Sequence, residues 1–300
     1  MAATNPPATP VPAPSIVSRG WRAVRGAFSE IARRPLSLIG LVLVVFFIVL
    51  ALLAPVIAPY NFDQIIRGAA RQAPSAEHVF GTDMLGRDIF SRVVYGSREI
   101  LAIPAATTAL SLIFGASIGL FIGFRGGWVD SIISRVLDAL LSIPALLLAL
   151  VMLATVGSSP GGIIAVIVLL YTPIVARVTR SSVLSVRSTG YVEAARLRGE
   201  SLGYILFQEL LPAVLPALIV EGALRFSYAI FLTASLGFLG LGVQPPSPDW
   251  GRMVNEARDS FRITPWSLWF PTGAIALLII GVNLLSDGLR RIFRREGQGL

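Results

Sequence analysis

Long apolar runs separated by short polar intervals organise this chain of 300 residues. Six such runs fall at about 36–56, 100–124, 132–156, 161–178, 213–242 and 266–285. Each is close to or above the ~20 residues that cross ~30 Å of hydrocarbon. Backbone polar groups in lipid must be satisfied within the segment, so runs of this length predict helices. The expected fold is an all-α integral membrane protein with six transmembrane helices. The domain plan has a tail over 1–35, a first span over 36–56 and an outward loop with a surface helix over 57–99. A five-helix core over 100–289 follows, containing a polar interval at 177–212, and then a tail over 290–300.

Composition supports the bilayer as solvent. The chain is 54% hydrophobic with a mean hydropathy of +0.75 and only 14% charge, against the roughly 25% charge of soluble domains. It has no cysteine, which excludes disulfides and thiolate metal sites, and its one histidine, His78, excludes a multi-histidine centre. A lone histidine in a polar loop is expected to be solvated. The net charge is +8, yet it lies between apolar runs and not on one soluble face, so no nucleic-acid partner is expected. All 25 basic residues are arginine. With no lysine the chain cannot carry a Walker-type phosphate loop, so it cannot itself be a P-loop ATPase. With the amino terminus cytoplasmic, 16 arginines fall in the tails and cytoplasmic flanks, 8 in the two external loops, and Arg225 within a span. The positive-inside rule then places both termini and the 177–212 interval in the cytoplasm.

Local features refine this plan. Residues 1–14 are rich in Pro and Ala and read as a disordered tail; Arg19, Arg22, Arg25, Arg33 and Arg34 precede an uncleaved first span. In the first outer loop, Asp83 is expected to cap a surface helix with Leu85, Ile89, Phe90, Val93 and Val94 on one side. Asp83 and Asp88 are close enough to suggest a cation site, but Arg87 and Arg92 compete for the same carboxylates. Gly115, Gly119 and Gly123 form a small-residue stripe for close helix packing. The same place formally matches the G-x-S-x-G nucleophile signature at Ser117, without the base or preceding strand that chemistry needs. Gly126 and Gly127 make a tight turn; Arg135 and Asp138, three apart on one helix, are expected to pair. Pro144 and Pro173 are expected to kink their spans. Glu221 and Arg225 stand four apart inside the fifth span. Each charge alone in lipid costs about 2.5 kcal/mol or more, so they are expected to face each other and either a neighbouring helix or an aqueous path. Pro245, Pro246 and Pro248 force an outward excursion before a short helix over 253–260.

The 177–212 interval is the long charged segment between two spans. Helix formers over 188–198 lead to Gly199, a left-handed stop; Ser201 can cap a second helix, which Pro212 limits. This arrangement resembles the EAA loop of permease subunits in binding-protein-dependent ABC importers. Glu193, Ala194, Ala195, Gly199, Leu211 and Pro212 match that pattern, while Glu209 stands where the pattern has a hydrophobic residue. The run 81–96, GTDMLGRDIFSRVVYG, is similar to the segment before the second span in the C-type permeases of dipeptide, oligopeptide and nickel importers. The segment 237–250 and the residues Asn283, Asp287, Gly288, Leu289 and Arg290 match the same family. The acidic-proline ending usual after that point is replaced by Arg294 and Arg295.

The resemblance implies a permease of the type I importer fold, without catalytic residues, cofactor or metal of its own. It implies pairing with a second, homologous permease and docking of two cytoplasmic ATPase subunits that bind ATP and Mg²⁺. It also implies delivery by an extracytoplasmic binding protein, a bacterial inner membrane location, and di- or oligopeptide cargo, with nickel chelates or glutathione as alternatives. Tyr191, Glu193, Ala194, Ala195, Arg196, Arg198, Gly199 and Pro212 are the expected ATPase-coupling residues, and Glu221 and Arg225 the candidate pathway pair. A passive channel would conduct without ATP or partners. An ion-coupled secondary transporter would more often show ten or more spans and inverted repeats.

Overall fold

The computed structural model describes residues 34–296; the tail and arginine-rich stretch expected before residue 34 lie outside them. The first helix, α1 (Pro35–Leu52), starts at a proline whose fixed φ and missing N–H suit a first turn. Its 18 residues reach about 27 Å. It is apolar all round, the pattern of a helix in lipid, and Leu36, Ile39, Val42 and Phe46 remain exposed. A short turn, α2 (Ala54–Ile57), closes it.

The long helix α3 (Ile89–Arg125) has 37 residues, about 55 Å, so part of it stands clear of the hydrocarbon. This corrects the expected separate surface helix. Asp83 does not cap it: its Oδ1 accepts from the backbone N–H groups of Leu85 and Arg87 in a tight turn. Gly86 sits in that turn at φ +82°. Asp88 becomes the cap instead, accepting from the Ser91 N–H at 2.8 Å, and the helix runs straight into the second span.

The third apolar run is broken. α4 (Gly127–Leu141) and α5 (Ala145–Val156) meet at 85°. Pro144 supplies the break, because it lacks an N–H and pushes the residue before it out of the helical region. The described residues therefore hold five helices long and apolar enough to cross a membrane, or six if the bent pair is one span. Pro173, by contrast, lies inside an unbroken α6 (Pro160–Val186).

After α6 come α7 (Gly190–Leu197), a single turn α8 (Leu202–Tyr204), a widened π segment (Ile205–Leu210) and α9 (Leu211–Phe238). Pro212 does not end the second helix of the interval, as expected from sequence. It enters the first turn of α9 just after the π segment. There the Leu211 N–H reaches back five residues to the Leu206 carbonyl, a wider ring that makes room for a proline that cannot donate. α10 (Trp250–Arg258) is capped by Asp249, and α11 (Trp266–Glu296) carries the last span on through most of the expected 290–300 tail.

Among the described residues four buried clusters hold the bundle; α3 contributes to all four and α9 to three of them. The α3–α6 seam is the small-residue stripe: a Cβ on Gly119 would stand 2.5 Å from the Ala176 carbonyl oxygen and from the Thr179 Cβ, and one on Gly115 2.5 Å from Val175. α1 and α11 meet the same way at Gly40 and Gly281. Ser117, in the formal nucleophile signature, donates its hydroxyl to the Ile113 carbonyl in mid-helix.

Candidate functional site

The 177–212 interval folds back onto the spans that flank it. α6 ends where Arg187 Nη1 donates to the Gly123 carbonyl at 3.1 Å, tying the interval to the end of α3. α7 then turns Val192 and Ala195 fully inward, into a cluster with Leu120, Val183, Ile205, Leu206 and Leu210. Its other side is open: Tyr191, Glu193, Ala194, Arg196 and Arg198 are exposed. Ala194 and Ala195 thus divide their roles, since Ala195 packs against the chain's own core and only Ala194 is available to a partner. Arg196 lies with its guanidinium 4.4 Å from the Phe124 ring centroid, a second tie to α3.

The stop at Gly199 is the one expected. Gly199 has φ +74°, its N–H donates to the Arg196 carbonyl, and the Glu200 N–H donates to the Ala195 carbonyl at 3.2 Å. These two bonds are a Schellman closure. Ser201 Oγ then accepts from the Tyr204 N–H at 3.3 Å and starts the next helix. Glu209, the departure from the family pattern, lies 3.6 Å from Arg198, which also pairs with Glu200 at 3.2 Å. The acid therefore fits by pairing across the turn. Sequence reasoning missed Leu197, which is 90% exposed four residues after Glu193. Its signal was an apolar residue set between Arg196 and Arg198 on the open side of the helix.

Beside the interval, α4 is latched to α6. Arg180 donates to both carboxylate oxygens of Asp130, at 2.5 and 2.7 Å, and Arg177 donates to Asp138 at 2.6 Å. Asp138 thus pairs across to α6 and not with Arg135 as expected, because the Arg177 fork approaches it from the neighbouring helix.

Glu221 and Arg225 do meet. Arg225 Nε lies 2.7 Å from Glu221 Oε1, both side chains largely buried, but the N–H is not aligned for a hydrogen bond. The guanidinium also lies 5.5 Å from the Tyr171 ring centroid and 4.9 Å from that of Tyr228. The pair therefore sits between α9 and α6 near the middle of α9.

At the opposite end of the bundle, Asp83 pairs with Arg87 and Arg92, and Glu256 of α10 pairs with the same two arginines. Desolvation opposes ionisation of Glu256, yet the two guanidinium groups hold its carboxyl below the usual range. His78 is not solvated as expected. It is buried, with Nδ1 3.0 Å from Asp88, the cap of α3. Among the described residues no group of three His, Cys, Asp or Glu could hold a metal ion.

Residues 115–296 match the family described as the binding-protein-dependent transport system inner membrane component. The chain belongs to this family of permeases. Residues 24–74 of the permease also match the N-terminal transmembrane domain of oligopeptide transport permease C. It is 40% identical to the dipeptide transport system permease protein DppC of Alkalihalophilus pseudofirmus, over 89% of this chain and 88% of that one. It is 38% identical to the glutathione transport system permease protein GsiD of Pectobacterium atrosepticum, over 82% of each. The fold is similar to that of a chain of the MetNI methionine ABC transporter in an inward-facing form, with a TM-score of 0.56 and 21% identity over 68% of the permease and 95% of that chain. The permease is thus an inner membrane component of an ABC importer that works with ATPase and substrate-binding partners.

Proposed function

We propose that the permease carries di- or oligopeptides and that the 177–212 interval couples its spans to partner ATPases. In this reading both termini and the interval are cytoplasmic, following the arginine distribution. A second, homologous permease completes the path, two ATPase subunits bind ATP and Mg²⁺, and an extracytoplasmic binding protein delivers the cargo.

The observation that carries the coupling role is the two-sidedness of α7. Its outer side offers Tyr191, Glu193, Ala194 and Leu197, while Val192 and Ala195 are locked between α6, the π segment and α3. An ATPase cleft that grips the outer side and moves on ATP-driven closure would push directly on three membrane elements. Packed helices switch between discrete arrangements and do not deform continuously, so such a push changes access from one side of the membrane to the other. Glu193 would pair with a donor on the ATPase, Leu197 would fill an apolar pocket there, and Gly199 would fix the angle to the next helix. Glu221 and Arg225 would face the path between the two permeases, where a mid-span charge is tolerated.

Peptide cargo is supported by the relatives' named activities. Affinity purification of the permease from its native cell tests both parts. Recovery of a second permease and ATPase subunits, with peptide-loaded binding protein raising ATP hydrolysis, is the expected result. A chain that purifies alone and moves solute along an ion gradient would overturn it.

A further inference from the structure

Arg225 has more to offer than its partner takes. A guanidinium carries five N–H donors in a planar fork. Among the described residues its single polar contact is Glu221, through Nε, and that contact is not an aligned hydrogen bond. Tyr171 and Tyr228 meet it as rings, so they bracket it without accepting from its edge. The terminal nitrogens are left without an acceptor, near the middle of the 28 residues of α9. Tyr228 and Phe231, the next positions along that side of the helix, are exposed. Lipid offers no acceptor at this depth, so the open edge needs either water or a negatively charged group.

We propose that the open edge of Arg225 is a transit site for the α-carboxylate of the peptide. This rests on the importer reading given above and adds the group that is recognised and the residue that recognises it. A planar fork binds a carboxylate through two parallel hydrogen bonds, which a lysine cannot reproduce. The choice of the α-carboxylate follows from the cargo. Peptides differ in side chains, and the charged groups common to all of them are the two termini, so a fixed charge that serves all of them must address a terminus. Both side chains are largely buried, at 13% and 10% exposure, and Glu221 engages Nε, so an entering solute meets the terminal nitrogens that Glu221 leaves open. Glu221 then has a defined part. It orients the guanidinium and part-neutralises it, which keeps the site weak enough to let the carboxylate go, as any conducting site must.

The test uses the whole complex in proteoliposomes, with Ala-Ala and its C-terminal amide each supplied at concentrations that saturate the binding protein. The wild-type complex takes up the free acid faster than the amide by roughly tenfold or more, the worth of a charge-assisted pair. In Arg225→Gln that ratio falls to within about twofold, and in Arg225→Lys it is intermediate. Co-purification of the second permease and the ATPases with each variant reports that the assembly is intact. A wild-type ratio near one, or a ratio unchanged in Arg225→Gln, overturns the proposal while leaving the importer standing. Loss of the second permease from Arg225→Gln also overturns it, since the arginine then pairs subunits. A wild-type complex that imports no Ala-Ala removes the importer reading and this inference together.

Discussion

Arg196 lays its guanidinium 4.4 Å from the ring centroid of Phe124, so the first helix of the 177–212 interval is joined to the end of the 37-residue α3. Arg187 reinforces the join at the Gly123 carbonyl, one residue away. Force applied to α7 therefore has a short route into α3, the element shared by all four buried clusters.

Cutting that route should separate ATP use from transport. Phe124→Ala removes a cation–π contact worth about 0.5–1 kcal/mol at an exposed site. The expected outcome is a several-fold fall in peptide imported per ATP hydrolysed, with hydrolysis itself retained. Parallel measurement of uptake and phosphate release in proteoliposomes checks it; an unchanged ratio would show that the contact carries no coupling.

Gly199 offers a cleaner substitution, because a Cβ there meets nothing within 4 Å and only its φ of +74° resists a side chain. Left-handed backbone costs an ordinary L residue about 1–2 kcal/mol, and asparagine less. Gly199→Val should therefore loosen the α7 stop and uncouple uptake, while Gly199→Asn stays near wild type. Hydrogen exchange over 190–204 should rise in the first variant and not in the second. Equal behaviour of the two would refute a conformational role.

The glycine seam behaves differently. At Gly119 a side chain has no room against the Ala176 carbonyl and Thr179. Gly119→Val should cost about 1–3 kcal/mol by overpacking and lower the midpoint of thermal unfolding in detergent. Gly273→Ala, in open space within a helix, should not.

Asp249 gives a pH signature outside the spans. Burial pushes its carboxyl up to about 6, Glu99 adds to this, and the Arg252 N–H that it caps opposes it. The folded chain thus holds this proton where the unfolded chain, near 3.8, has lost it. Its contribution to stability is full below pH ~4, falls as pH rises to ~6 and is flat above, a change on the order of 2–3 kcal/mol. Asp249→Asn keeps a cap acceptor and should remove the slope from thermal unfolding in that window. A slope that survives in the variant assigns it to another group.

Much of this was legible in the sequence where one physical rule dominates. Apolar run length located the spans, and Gly199 and Ser201 located the stop and restart of the interval, since left-handed backbone and cap chemistry are local. The failures are cases where a neighbour distant in sequence decides. Asp138 pairs with Arg177 across helices and not with Arg135 on its own, and His78 is buried by the loop between α2 and α3 folding over Asp88. Asp83 and Asp88 are equally good caps on paper; the turn at Gly86 gives the role to Asp88. The 85° break was legible as a proline but not in size. Leu197 was visible as a residue and invisible as a surface, because exposure is a property of the packed bundle.

The open side of α7 is the proposed grip of an ATPase, and the absence of cysteine from the chain makes a direct test simple. Leu197→Cys and Glu193→Cys, each a single reactive thiol on that side, are treated with a short thiol-reactive photocrosslinker in native membranes. The expected result is an adduct with the ATPase subunit whose yield changes on addition of ATP. Adducts with lipid or water alone from both positions, in membranes where the complex is assembled and active, would contradict it.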